Sequence, residues 1–124
     1  MKEDNVFVRK SFAFAIQIVK ASRLLVENKK EYVLSKQLLR SGTAVGALIR
    51  EAQNAESKSD FVHKLSIAQK ECDETLYWLD LLKETNYLNN EEYLSLRNEA
   101  EELLKMLRSS ILTTKKNYLN KQQL

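Results

Sequence analysis

The sequence predicts an all-α protein, an antiparallel up-down-up-down four-helix bundle, and three observations carry that reading. The 124 residues contain no proline and only two glycines, where average usage would give about 6 and about 9. Sandwiches, barrels and doubly wound folds need many more turn residues than that. Four segments carry apolar residues at helical spacing, and only short polar runs separate them. Finally, both glycines, Gly42 and Gly46, lie four apart inside one apolar stretch, so neither marks a chain reversal.

The first helix is expected over about residues 5–26. Phe7, Ser11, Phe14, Ile18, Ala21 and Leu25 follow a 4-3-4-3-4 spacing, and Phe12, Ile16 and Val19 widen the stripe. The polar run from Glu27 to Glu31 reads as the first connection. The second helix is expected over 32–56, with Leu34, Leu38, Ser41, Val45, Leu48, Ala52 and Ala55 on its seam. No charge stands between Arg40 and Arg50. Gly42, Gly46 and Ile49 lie on one flank of the seam, Ala44 and Ala47 on the other. A helix that is apolar or small nearly all round is buried on more than one side, which points to a second subunit against it.

The third helix is expected over 60–85, with a seam of Phe61, Leu65, Ala68, Cys72, Leu76 and Leu79. Ser57 with Asp60 resembles a capping box, and Ser59 is the rival cap. A second stripe of Lys64, Ile67, Glu71, Glu74, Trp78 and Leu82 mixes charge with large apolar groups. The fourth helix is expected over 91–117, opened by a second capping pair, Asn89 and Glu92. Its seam is Leu96, Ala100, Leu103, Leu107, Ser110 and Thr114, and the polar tail from Lys115 is expected to fray. Connections this short make successive helices antiparallel neighbours. The whole chain, 1–124, reads as one domain.

Composition bounds the function. With 44% apolar and 30% charged residues the chain is globular. A lone cysteine, Cys72, excludes an internal disulfide framework and a multi-cysteine zinc site. The longest uncharged stretch, Ser41 to Ile49, is far short of the ~20 residues of a membrane span. Glu3 and Asp4 spoil the basic start that a secretory signal needs, so a cytoplasmic location and no membrane partner are expected. The net charge of +3 is unevenly placed, +5 over residues 1–58 and −2 over 59–124.

No catalytic constellation emerges. A ferritin-like site needs carboxylates on four helices and two Glu-x-x-His pairs. The chain has one histidine, His63, so no metal and no cofactor is expected. Cys72 falls on an apolar seam, where a thiol behaves as a small inert hydrophobe. Charged groups that leave water survive only when paired. Arg40, Glu51, Lys64, Glu71 and Glu74 are therefore expected to form an ionic network beside Trp78, fixing helix register or subunit contact.

The stretch Leu34-Ser-Lys-Gln-Leu-Leu-Arg-Ser-Gly-Thr-Ala-Val-Gly-Ala-Leu-Ile-Arg-Glu-Ala52 resembles the signature of the four helix bundle protein family. That family is also called the 23S rRNA intervening-sequence proteins. Asp60 to Ala68, Lys70-Glu71, Glu74 and Tyr77-Trp78-Leu79 resemble its second signature, and Glu99 to Thr114 is similar to its last helix. One departure is Leu48, where the family usually has Asn.

The resemblance implies an antiparallel bundle that assembles as a ring, commonly a homopentamer. Members are encoded in intervening sequences of bacterial 23S rRNA genes or stand alone. Their biochemical function is not established, and no catalytic residues carry over. A related branch, the accessory proteins of diversity-generating retroelements, binds nucleic acid together with a reverse transcriptase. Arg40, Ser41, Gly42, Glu51, Lys64, Glu71, Glu74 and Trp78 match the signature as fold and assembly residues, with Gly46 beside them.

The expectation is a non-enzymatic homo-oligomer that binds RNA through Lys10, Lys20, Arg23, Lys29, Lys30, Lys36 and Arg50. A ring multiplies a small protomer charge into a substantial local field. The alternative is a scaffold that binds a protein partner and no nucleic acid.

Overall fold

A computed structural model of the chain describes residues 5–122. It contains four helices, α1 (Val6–Lys29), α2 (Leu34–Ala52), α3 (Lys58–Glu84) and α4 (Asn90–Gln122), and no strand among the described residues. The protein is an all-α four-helix bundle. Each helix packs on the next in the chain, and α4 closes the circuit with a lighter contact to α1.

The ends of the helices follow from local chemistry. The Asn5 side chain accepts the Val8 N–H and opens α1. The Ser57 hydroxyl, not that of Ser59, caps α3 by accepting the Asp60 N–H at 3.0 Å. Asp60 returns a carboxylate to the Glu56 N–H at 3.2 Å. Asn89 and Glu92 form a reciprocal box at the start of α4, at 2.8 and 2.9 Å. Each cap satisfies amides that a helix start leaves without partners.

Several helix boundaries differ from the sequence reading. Glu27, Asn28 and Lys29 continue α1 instead of leaving it, because polarity alone does not end a helix and Glu and Lys are good formers. The stop comes at Lys30, whose φ of 55° is left-handed. There the Glu31 N–H reaches back to the Leu25 carbonyl at 3.0 Å, the six-to-one closure that glycine usually serves. Asn86, with φ 69°, plays the same part after α3.

The second helix begins at Leu34 and ends at Ala52, short of the expected 32–56. The amides of Gln53, Asn54 and Ala55 bond three residues back, to Arg50, Glu51 and Ala52. That tight winding frees Ser57 to take the extended geometry of its cap. The fourth helix runs on through Lys115 to Gln122, well past Asn117. Residues 123–124 of the expected fraying tail lie outside the described residues.

Phe14 and Ile18, Leu38, Val45 and Ile49, Leu65, Ala68 and Leu79, and Ala100, Leu103 and Leu107 meet in one buried core. The register of α2 on α3 is marked by a buried hydrogen bond of 3.0 Å between the Thr75 and Ser41 hydroxyls. That of α3 on α4 is marked by the Cys72 thiol, 3.2 Å from the Ala100 carbonyl.

The glycines explain the α1–α2 contact. A Cβ on Gly42 would stand 2.8 Å from both Cγ atoms of Ile18, and one on Gly46 would stand 3.1 Å from the Ser11 carbonyl oxygen. Real Cβ contacts are longer, so α1 approaches this closely because two side chains are missing. The flank that seemed to need another subunit is thus filled by α1 of the same chain. On the opposite side Arg40 reaches α3, as its contacts below show, while Ala47 stays exposed.

Candidate functional site

Arg40 leaves α2 on the flank that faces α3 and meets two carboxylates one turn apart. Its guanidinium donates to Glu71 at 3.0 Å and to Glu74. Glu74 also accepts the Trp78 indole N–H at 3.0 Å. That bond, and then Arg40, hold the Glu74 carboxyl below its ordinary value of 4.5. The two carboxylates raise the Arg40 guanidinium in turn, Glu74 more than Glu71. The fork is half in water, with 49% of the Arg40 side chain exposed. It therefore sets the level of α2 against α3 more than it adds stability.

Two residues expected in this network stand apart. Lys64 pairs with Asp60 on its own helix, at 3.5 Å. Glu51 is exposed and has no ion-pair partner within reach among the described residues. Arg40 and Glu51 are eleven positions apart on α2, a rise of about 16 Å, so one guanidinium cannot serve both ends of the face.

The expected nucleic-acid residues go to five separate places. Lys10 is tied to Glu102 of α4 at 2.9 Å. Lys20 and Lys29 line a cleft of about 400 Å³ between α1 and α4, with Glu91 and Glu92 opposite. Arg23 and Lys36 rim a hollow between α1 and α2, and Arg50 rims another, with its guanidinium 5.5 Å from the Phe12 ring centre. Lys30 turns its ammonium to the Glu27 carbonyl at 3.1 Å. The seven build no single cationic face.

A polar cluster unforeseen in the sequence joins α3 to α4. Asp80 accepts from the Tyr93 hydroxyl and from Arg97, both at 2.6 Å. Arg97 also pairs with Glu101 at 3.3 Å. Hydrogen bonding to Asp80, then burial, push the Tyr93 phenol above its ordinary 10. Asp80 and Tyr93 lie thirteen residues apart across a turn. No periodic pattern within one helix could have paired them.

The outer surface of α1 and α2 carries exposed apolar side chains. Phe12, Ile16 and Val19 of α1 and Leu39 of α2 are all exposed, Phe12 by 54%. Tyr32 and Val33, between the helices, are more exposed still, Val33 by 70%. Two hollows run along this surface. One, of about 540 Å³, is lined by Val8, Phe12, Ala15, Thr43 and Ala47, and the other, of about 410 Å³, by Val19, Val26, Tyr32 and Leu39. The second includes Ser22, whose buried hydroxyl finds no hydrogen-bond partner among the described residues.

The lone cysteine and the lone histidine sit in unlike surroundings on α3. Burial, then the charge of Asp73, push the Cys72 thiol up to about 12, against a smaller opposing effect of Arg108. A thiol so seldom ionised is a poor nucleophile. His63 is exposed at the start of α3. No group of three or more His, Cys, Asp or Glu among the described residues could hold a metal. No helix there is long and apolar enough to cross a membrane.

Residues 3–109 match the model of the 23S rRNA-intervening sequence protein family. The chain belongs to this family. It is also similar to a crystal structure of a protein of unknown function from the S23 ribosomal protein family of Bacteroides thetaiotaomicron. The two share 50% sequence identity and a TM-score of 0.84, over 85% of this chain and 97% of that one. No protein of curated function matches. The family reading thus carries no enzymatic assignment. In this family member Leu48 is half-buried against the core, so apolar contact stands where an Asn side chain would place an amide.

Proposed function

We propose that this family member is a non-enzymatic bundle whose work is assembly. Copies of the chain associate through the outer face of α1 and α2, and the assembly engages RNA. The exposed row of Phe12, Ile16, Val19 and Leu39 carries the first part. Single exposed apolar residues are ordinary, but a contiguous apolar strip marks an interaction surface. The family likeness implies five copies in a ring.

The RNA part rests on the family likeness and on the net charge of +3, which a ring multiplies. A cytoplasmic site of action fits both. The test of assembly is sedimentation of the wild type beside Phe12→Glu/Ile16→Glu. We expect a multimer that the double substitution converts to protomers of unchanged helicity. A variant that sediments as the wild type does would remove the α1–α2 face from the account. Were the wild type to associate and bind no RNA, the alternative of a protein-binding scaffold would take over.

A further inference from the structure

Charge counted by halves hides a reversal inside the second half. Residues 59–102 hold 4 Lys/Arg against 11 Asp/Glu, whereas residues 103–124 hold 5 Lys/Arg and no acid. Four of the five are Lys105, Arg108, Lys115 and Lys116, all exposed and none in an ion pair among the described residues. At 100° per residue these four fall within a sector of about 100° on α4. That sector points away from Leu103, Leu107 and Ile111, which are buried. Leu112 and Leu119 sit within it, 69% and 58% exposed.

The same end of α4 leaves the bundle. Cys72 lies level with Ala100, and Asp80 with Tyr93. By that register Lys58, where α3 begins, lies level with Thr114. The helix continues to Gln122, so its last two turns have no α3 beside them. Helix-dipole compensation favours cations only in the last turn. Lys105 stands about five turns before the end, so the dipole does not account for the stripe. Two leucines offer too little apolar surface for bilayer insertion. Four unpaired cations on one face instead match a run of phosphates.

We propose that the outward face of the C-terminal half of α4 is a phosphate-binding stripe that docks the backbone of RNA, with Lys105, Arg108, Lys115 and Lys116 as its contacts. This rests on the RNA reading above and moves the contact from α1 and α2 to α4. Lys105 and Arg108 lie within the family match, and Lys115 and Lys116 lie beyond residue 109, where it stops. The outer half of the stripe therefore lies outside the matched segment.

The test is a fluorescence anisotropy titration of a labelled RNA hairpin across about 50–200 mM salt, where phosphate contacts dominate the change in affinity. Three proteins are compared: the wild type, Lys105→Gln/Arg108→Gln/Lys115→Gln/Lys116→Gln, and Lys20→Gln/Arg23→Gln/Lys36→Gln. Gln keeps helix propensity, and circular dichroism checks the fold. We expect the α4 variant to bind about tenfold more weakly or worse, with a salt slope smaller by about 3–4. The α1–α2 variant should stay near the wild type. An α4 variant that binds as well as the wild type overturns the stripe and leaves the RNA reading standing. A wild type that binds no hairpin at low salt overturns the RNA reading and the stripe with it. Wild-type binding to phosphatidylserine vesicles and not to RNA assigns the stripe to a membrane surface, and also overturns the proposal.

Discussion

Gly42 is the residue on which the α1–α2 contact turns. Gly42→Ala places a methyl 2.8 Å from two atoms of fully buried Ile18. Overpacking of this kind costs about 1–3 kcal/mol, and the better helix propensity of Ala returns only about 0.5–1. We expect a net loss of order 1 kcal/mol, read as a melting temperature lower by about 4 °C. Gly46→Ala, which meets backbone at 3.1 Å, is expected to lose less. The sequence already showed that each glycine needs a compensating contact. It could not show that the contact is Ile18 or Ser11, because the partner of a flank depends on which helix comes round to it.

Glu74 gives a pH dependence. Its carboxyl is held below 4.5 in the folded protein by Trp78 and then Arg40, so it supports the fold above that pH. The support is lost as pH falls through the lowered folded value. Glu74→Gln should thus be less stable than the wild type near neutrality, and the gap should close in acid. Trp78 emission in the wild type should titrate over the same acid range. A stability gap that stays constant from pH 7 to about 3 would falsify the Glu74 assignment.

At the scale of elements, the seams of all four helices were readable from apolar spacing, since one buried face per helix writes itself into the sequence every three or four residues. The caps at Ser57 and Asn89 were readable for the same local reason. The stops were less so. Lys30 and Asn86 adopt left-handed backbone without being glycine, so a search for glycine passes over both. Lys30→Gly should stabilise the chain by about 0.5–1 kcal/mol, because it relieves a strained backbone at a place that glycine suits. Urea denaturation reads this as a higher midpoint at unchanged slope. A lower midpoint would mean that Lys30 contributes more than its backbone strain removes. The fork of Arg40 with Glu71 and Glu74 was anticipated from residues on facing flanks. Lys64 stands outside it because a partner one turn away, Asp60, competes at lower entropic cost.

For the whole molecule, the bundle leaves the apolar outer face of α1 and α2 uncovered and sends the end of α4 past α3. The uncharged character of α2 points toward association; α1 fills its glycine flank, whereas Ala47 on the other flank stays exposed. The surface left over belongs mainly to α1, whose Phe12, Ile16 and Val19 read in sequence as a wider core stripe. A sequence tells which residues are apolar, and the packing decides which of them are left outside. The basic end of α4 was missed for a similar reason, since its charge cancels against the acidic segment before it.

The central claim is that copies of this bundle associate through α1 and α2. Light scattering on the protein eluting from a sizing column measures that mass without a standard. The account predicts a whole multiple of the 14.4 kDa protomer, fivefold for the proposed ring. A single mass of 14.4 kDa at the highest concentration examined would contradict it.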